Sequence, residues 1–276
     1  MTYSTILIHL RLGQSNARLL QLSADLVKRF DAGVIGVAVC QPMQVIYGDG
    51  YWVSGDLIDQ DRADREREID AAHGEFRQAF AGHAGFLDWQ SAVTLESLAG
   101  HLSRAARAAD LVITGVTSGA LLDAAPQMST GDLIMQLGRP VLIVPASAET
   151  LKLDHVMIGW KDTRESRRAA ADALPMLKQA AQVTLVEIAP PDDLAAAQAR
   201  LDQVAGWLHR HGIAAHVLAE PATGDDSTRF ETLARDRRAD LIVAGAYGHN
   251  RVREWVLGGV TRDLLLHGER CALLSH

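Results

Sequence analysis

Ala109-Asp110-Leu111-Val112-Ile113-Thr114-Gly115 returns as Ala239-Asp240-Leu241-Ile242-Val243-Ala244-Gly245, 130 residues later. At the same offset Gly138-Arg139-Pro140-Val141-Leu142-Ile143-Val144 falls on 268–274, apolar against apolar over its last four positions. Thr5-Ile6-Leu7-Ile8-His9-Leu10 faces His155-Val156-Met157-Ile158-Gly159-Trp160 at an offset of 150, so the first repeat carries about 20 extra residues, between 41 and 60. One such match arises by chance. Three in the same order mark a duplication, and repeats of this kind define the architecture of a chain. The two units are expected at 1–147 and 153–276.

Within each unit short apolar runs alternate with longer amphipathic stretches, the pattern of βαβ units on a parallel sheet. In the second, strands are expected over 156–159, 183–188, 214–219, 240–244 and 271–274. Helices are expected between them over 164–178, 194–211, 229–237 and most of 255–267. Leu194, Ala197, Leu201, Val204 and Leu208 carry the helical spacing of 194–211. Ala189-Pro190-Pro191 closes the preceding strand, because proline cannot donate to a ladder. The first unit repeats the order, with strands over 5–10, 34–39, 87–91, 111–114 and 141–144. Its helices fall over 17–30, 62–80 and 95–108, with a fourth before the last strand. The fold class is therefore α/β, two doubly wound five-stranded parallel sheets with a ligand crevice at the carboxyl ends of the strands. The final strands of both units are sheet edges, which invite pairing within the chain or between chains.

The 276 residues are 48% hydrophobic and 22% charged, enough apolar side chain for a sizeable core. A net charge of −7 argues against a broad basic surface for nucleic acid. No apolar run is long enough for a membrane span and no signal segment is read at the start, so a cytoplasmic protein is expected. Cys40 and Cys271 are too few for a disulfide framework or a cysteine metal site.

The chemistry concentrates after the fourth strand of the second unit, in Gly245-Ala246-Tyr247-Gly248-His249-Asn250-Arg251-Val252-Arg253-Glu254-Trp255-Val256-Leu257-Gly258-Gly259-Val260-Thr261. Gly245 and Gly248 let the backbone turn and a ligand approach without a Cβ in the way. Gly258 and Gly259 stand where a helix is expected to begin, and free N–H groups there favour an anion such as phosphate. Thr261 offers a hydroxyl either to that anion or its metal ion, or to the helix as a cap. Glycines in a strand-to-helix turn also serve purely structural ends, and that reading stands beside the first.

The spacing Gly, two residues, Gly, nine residues, Gly, small residue resembles the nucleotide loop of universal stress proteins. The likeness covers nearly the whole chain, in the tandem two-domain form. Gly159-Trp160-Lys161-Asp162 adds to it, ending in an Asp where the ATP-binding members keep one. The resemblance implies a strand order 3-2-1-4-5 in each sheet and two domains packed as a pseudo-dimer. It implies ATP, with ADP or AMP as alternatives and Mg²⁺ alongside. Asp162 would lie beside the adenosine, and Gly245, Gly248, Gly258 and Thr261 around ribose and phosphates. The adenine would rest near Ile188. Two positions depart from the family pattern: Gly259 replaces a hydroxyl residue, and His249 replaces a frequent Arg, an unperturbed imidazole being mostly neutral at pH 7 where Arg is always cationic. Both weaken a triphosphate site without abolishing it.

In the first unit Gly245 and Gly248 are matched by Gly115 and Ser118, and Gly258, Gly259 and Thr261 by Met128, Ser129 and Gly131; Asp162 is matched by Leu12. The first unit is thus expected to be structural or regulatory, its crevice filled by side chains. Simpler readings apply elsewhere. His209 and His211 mark a solvated helix end, the charge run 61–68 an exposed helical face, and Tyr47, Tyr51 and Trp52 a loop covering the domain seam. Trp255 is either a core anchor or a shield over the ligand. No metal site and no catalytic constellation is read, so a slow ATPase is the most the sequence allows. The expected function is adenine-nucleotide binding in a stress or signalling role, with an accompanying homodimer left open. The alternative is a tandem scaffold that acts through protein contacts without nucleotide.

Overall fold

The computed structural model describes residues 2–42, 55–116, 130–246 and 270–276. The first repeat runs β1 (Thr5–Leu10), α1 (Ala17–Phe30), β2 (Gly33–Cys40), α2 (Gly55–Ala79), β3 (Leu87–Val93), α3 (Leu98–Ala105), β4 (Leu111–Gly115), α4 (Thr130–Leu137) and β5 (Val141–Val144). The second runs β6 (His155–Gly159), α5 (Arg164–Asp172), α6 (Leu174–Leu177), β7 (Gln182–Ala189), α7 (Leu194–Arg210), β8 (His216–Pro221), α8 (Asp226–Asp236), β9 (Leu241–Gly245) and β10 (Cys271–Ser275). The helix expected over 255–267 lies outside the described residues.

The strands form one ten-stranded sheet in the order β3-β2-β1-β4-β5-β10-β9-β6-β7-β8. Each half keeps the order 3-2-1-4-5 with parallel neighbours. The halves join where β5 and β10 run antiparallel, with Val141 opposite Leu274, Leu142 opposite Leu273 and Ile143 opposite Ala272. Two five-stranded sheets whose last strands invite pairing were the expectation; the structure joins them through those strands into a single continuous sheet. The reason is the character of the two last strands. Both are buried throughout and apolar but for Ser275, and left apart each would present a row of unpaired N–H and C=O groups on a hydrophobic edge. Pairing satisfies both rows at once, and its antiparallel sense relates the halves by an approximate two-fold axis.

Strands covered on both faces read as continuous apolar runs, as in β1, β4 and β6. On one face Leu26, Phe76, Leu174 and Leu208 belong to a single core that spans both repeats and takes in Leu151 and Leu153 of the connecting segment. On the other face Leu102, Leu133, Phe230 and Leu233 share a second core, which likewise crosses the seam. Hydrogen bonds tie the halves further. The Tyr3 hydroxyl donates to the Asp172 carbonyl at 2.7 Å, and Arg168 Nη2 donates to the Gly138 carbonyl at 2.8 Å.

The duplicated Ala-Asp-Leu has a structural use. Asp110 Oδ2 accepts from the backbone N–H groups of Ser4 and Thr5, at 2.8 and 3.1 Å. Asp240 Oδ2 accepts from the N–H of Asp154 at 2.8 Å in the matching place. In each half the acid holds the entry of the central strand beside its neighbour. The helix expected over 164–178 is two pieces, because Pro175 has no N–H to continue the first. Asp225 caps α8 by accepting from the Thr228 N–H, so that helix begins three residues before the expected start.

Leu273 is fully buried at the seam. Leu273→Ala is expected to cost about 2–5 kcal/mol. Because both cores cross the seam, urea denaturation followed by tryptophan fluorescence should show one transition, shifted to lower denaturant; two separated transitions would contradict the shared core.

Candidate functional site

In a doubly wound sheet the ligand crevice lies at the carboxyl ends of the strands, where the order reverses. Here that point occurs twice, between β1 and β4 and between β6 and β9. The two are built differently.

In the second half β6 ends at Gly159, beside Ala244 of β9. The chain then turns through Trp160, Lys161 and Asp162 into α5, where the Thr163 hydroxyl accepts from the Ser166 N–H at 3.3 Å as the N-cap. Asp162 is exposed, and its carboxylate receives Arg167 Nη1 at 2.6 Å. Gly245 lies under the same first turn. A Cβ there would sit 2.5 Å from Ser166 N and 2.6 Å from Glu165 C. The direction a Cβ on Gly245 would take is therefore filled by the α5 backbone, and glycine is needed for that close approach. Glu165 is buried in this turn and paired with Arg164. Burial pushes its carboxyl up, but the bonds from Arg164, its own backbone N–H and Thr163 outweigh this and hold it below the usual range. An anionic carboxylate thus stands at the strand ends.

The structure places Asp162 and Gly245 at the same end of the sheet, on either side of the start of α5. Gly248, His249, Gly258, Gly259 and Thr261 lie outside the described residues, as do Trp255, Tyr47, Tyr51 and Trp52. Ile188 is half-buried near the end of β7.

In the first half the corresponding crevice is a cavity of about 350 Å³ lined by Arg11, Asn16, Arg18, Gly115, Val144 and Ala146, among others. A Cβ on Gly115 would meet only the Val144 carbonyl, at 3.9 Å. Over the described residues this crevice is open, where the sequence led us to expect side chains; Ser118, Met128 and Ser129 lie outside them. Asn16 shapes the turn. Its Oδ1 accepts from the Arg11 N–H and its Nδ2 donates to the Arg11 carbonyl, both at 2.9 Å. Arg11 Nη1 donates to the Val116 carbonyl at 2.8 Å. Behind it His9 is buried, with Nδ1 3.0 Å from the Thr114 hydroxyl. Burial, and after it the Arg11 cation, hold the His9 pKa down to about 4.

Among the described residues no group of three or more His, Cys, Asp or Glu is placed to hold a metal, and no helix is long and apolar enough to cross a membrane. His209 is exposed at the end of α7, and the His211 ring stands edge-on to Trp207 at 4.7 Å.

No family model and no curated protein matches the sequence. Solved structures do. A universal stress protein from Archaeoglobus fulgidus DSM 4304 superposes with a TM-score of 0.74 at 15% identity, covering 98% of this chain and 95% of its own. A Pseudomonas aeruginosa PAO1 protein of unknown function gives 0.61 at 14% identity, over 99% and 92%. A candidate universal stress protein from Pseudomonas aeruginosa UCBPP-PA14 gives 0.64 at 13%, over 99% and 93%. The chain has the universal stress protein fold, in tandem, along its whole length.

Gly245→Ala is expected to cost about 1–3 kcal/mol by forcing α5 off β9, while Gly115→Ala, with open space beside it, should stay within about 0.5 kcal/mol; equal losses in denaturant midpoint would contradict the difference in packing. His9 is neutral in the folded chain between pH 4 and 6.5, where the unfolded chain takes up a proton. Its contribution is full above pH 6.5 and falls away towards pH 4, by up to about 3 kcal/mol. Stability measured against pH over that window should therefore fall less steeply in His9→Asn than in the parent chain.

Proposed function

We propose that this chain is an adenine-nucleotide-binding member of the universal stress family, its second unit (153–276) holding ATP, or ADP or AMP, and its first (1–147) serving as structural partner. The single observation that supports this is the coincidence, in one repeat alone, of Asp162 after the central strand and the Gly245, Gly248, Gly258 spacing after the fourth. Asp162 is solvent-exposed at the carboxyl end of β6, paired with Arg167 through one carboxylate oxygen, and its other oxygen is placed to meet a ribose or base edge. The loop would supply backbone N–H groups from Gly248, Gly258 and Gly259, and a hydroxyl from Thr261, to the phosphates, with Mg²⁺ sharing their charge. Gly245 enters this reading as the residue that seats α5 against β9 and so fixes where the loop begins.

The role is that of a sensor. Binding shifts a population of states that a partner reads. Neither His249 nor Glu254 has a sequence neighbour that marks it as a general base, so at most slow hydrolysis is proposed. The second reading, a scaffold without nucleotide, is favoured by the anionic Glu165 at the strand ends and by the α5 turn against Gly245, both unhelpful to a polyanion.

Calorimetric titration with ATP, ADP and AMP in the presence of Mg²⁺ separates the two. The proposal expects saturable binding, weakened at least about tenfold, or 1.4 kcal/mol, in Asp162→Ala. No heat with any of the three, or identical affinity in the variant, would establish the scaffold instead.

A further inference from the structure

We propose that the groove between α5 and α7 is a second ligand site, for a planar aromatic carboxylate. The groove has a volume of about 480 Å³ and is lined by Trp160, Asp162, Arg167, Arg200, Val204 and Trp207, with Ala170 and Gln203 completing it. Apart from Asp162 it uses none of the residues of the nucleotide reading, and it lies in the helical layer beside the strand-end crevice.

Among the described residues the two halves differ here. In the first repeat α1 packs against α2, with Leu10 at the position of Trp160 and Leu12 at that of Asp162. In the second repeat α5 and α7 leave a cavity between them that opens beside the end of β6. Its chemistry selects a ligand in three steps. Two indoles, Val204 and Ala170 offer flat and aliphatic surface, which suits a ring. Trp160 is only 6% exposed, yet its indole N–H has no hydrogen-bond partner among the described residues. That nitrogen is itself closed to solvent, so Trp160 meets a ligand in the groove through its ring surface. Arg167 lines the groove with an exposed guanidinium whose described partner is Asp162, through Nη1 alone. Its remaining donors match a carboxylate, which a guanidinium fork binds through two parallel bonds.

The charge count limits the ligand to a single negative charge. Arg200 is already taken by Glu187 and Asp193, both at 2.7 Å, so the charge available to a ligand is that of Arg167, shared with Asp162. A monocarboxylate competes with Asp162 for that cation; a polyphosphate meets the acids behind Arg200 and is repelled.

The test uses the full chain and 2-naphthoate as probe, with 2-naphthamide as its neutral counterpart. Calorimetry should give one saturable site per chain for naphthoate, with naphthamide at least about tenfold weaker. Arg167→Gln and Trp207→Ala should each weaken naphthoate by about tenfold or more; Trp207 also packs against the core, so the urea midpoint of each variant checks that it is folded. In a ¹⁵N-labelled sample the indole signal lost in Trp160→Phe should shift when naphthoate is added. Asp162→Asn carries the sharpest distinction. Freeing Arg167 should strengthen naphthoate by about threefold or more, whereas the nucleotide reading expects loss of Asp162 to weaken ATP. Naphthoate binding should also persist whether or not ATP binds, so the two proposals fail independently. No saturation by millimolar naphthoate, equal affinity for the amide, indifference to Arg167→Gln and Trp207→Ala, or competitive displacement by ATP would each overturn the assignment.

Discussion

The antiparallel pairing of β5 with β10 is the constraint from which the rest of this molecule follows. Each repeat ends in a short apolar strand that cannot be left as an edge, and each finds its complement in the other. The pairing turns two five-stranded units into one sheet. It also merges the helical layers, so that each face has one core fed from both repeats. A duplicated chain of this kind gains freedom. Once the two strands hold the halves together, either strand-end crevice can change without endangering the fold.

That freedom shows in the residues beside the two equivalent glycines. Among the described residues Gly115 has open space next to it, whereas Gly245 is pressed under the first turn of α5, where no Cβ fits. The same glycine in the same motif thus answers to different demands, a crevice in one half and helix seating in the other. The layer above diverges in parallel: α1 and α2 close on each other, while α5 and α7 part around Trp160 and Trp207. Topology is held constant and the local packing is varied, which is how a fold hosts more than one kind of site.

Much of the architecture was readable from the chain itself, because it rests on patterns that a sequence displays directly. β1, α1 and β5 lie where alternation and helical spacing put them, and the repeat registers the halves against each other. What was not readable depends on partners. An apolar strand such as 271–274 announces that it is covered, not by what. The start of α2 was hidden because Leu57 and Ile58 face solvent and break the amphipathic pattern. Asp110 and Asp240 were legible as a repeated motif but not as ties to the central strands, since their partners are backbone N–H groups more than 80 residues away. At Gly245 the two readings left open in the sequence divide for the same reason: a missing side chain signals close approach, and the helix that approaches it is decided in three dimensions. The break at Pro175 was, by contrast, a signal on the page, outweighed by the apolar spacing around it.

The two repeats are equal in topology, and the proposed function makes them unequal in ligand. A crystal structure of the full chain grown with a non-hydrolysable ATP analogue and Mg²⁺ tests this most directly. The analogue should sit at the carboxyl end of β6 beside Asp162, with its phosphates on the loop after β9. Density between α1 and Gly115, in the cavity that Arg11 and Arg18 line, would reverse the assignment of the halves and contradict the account.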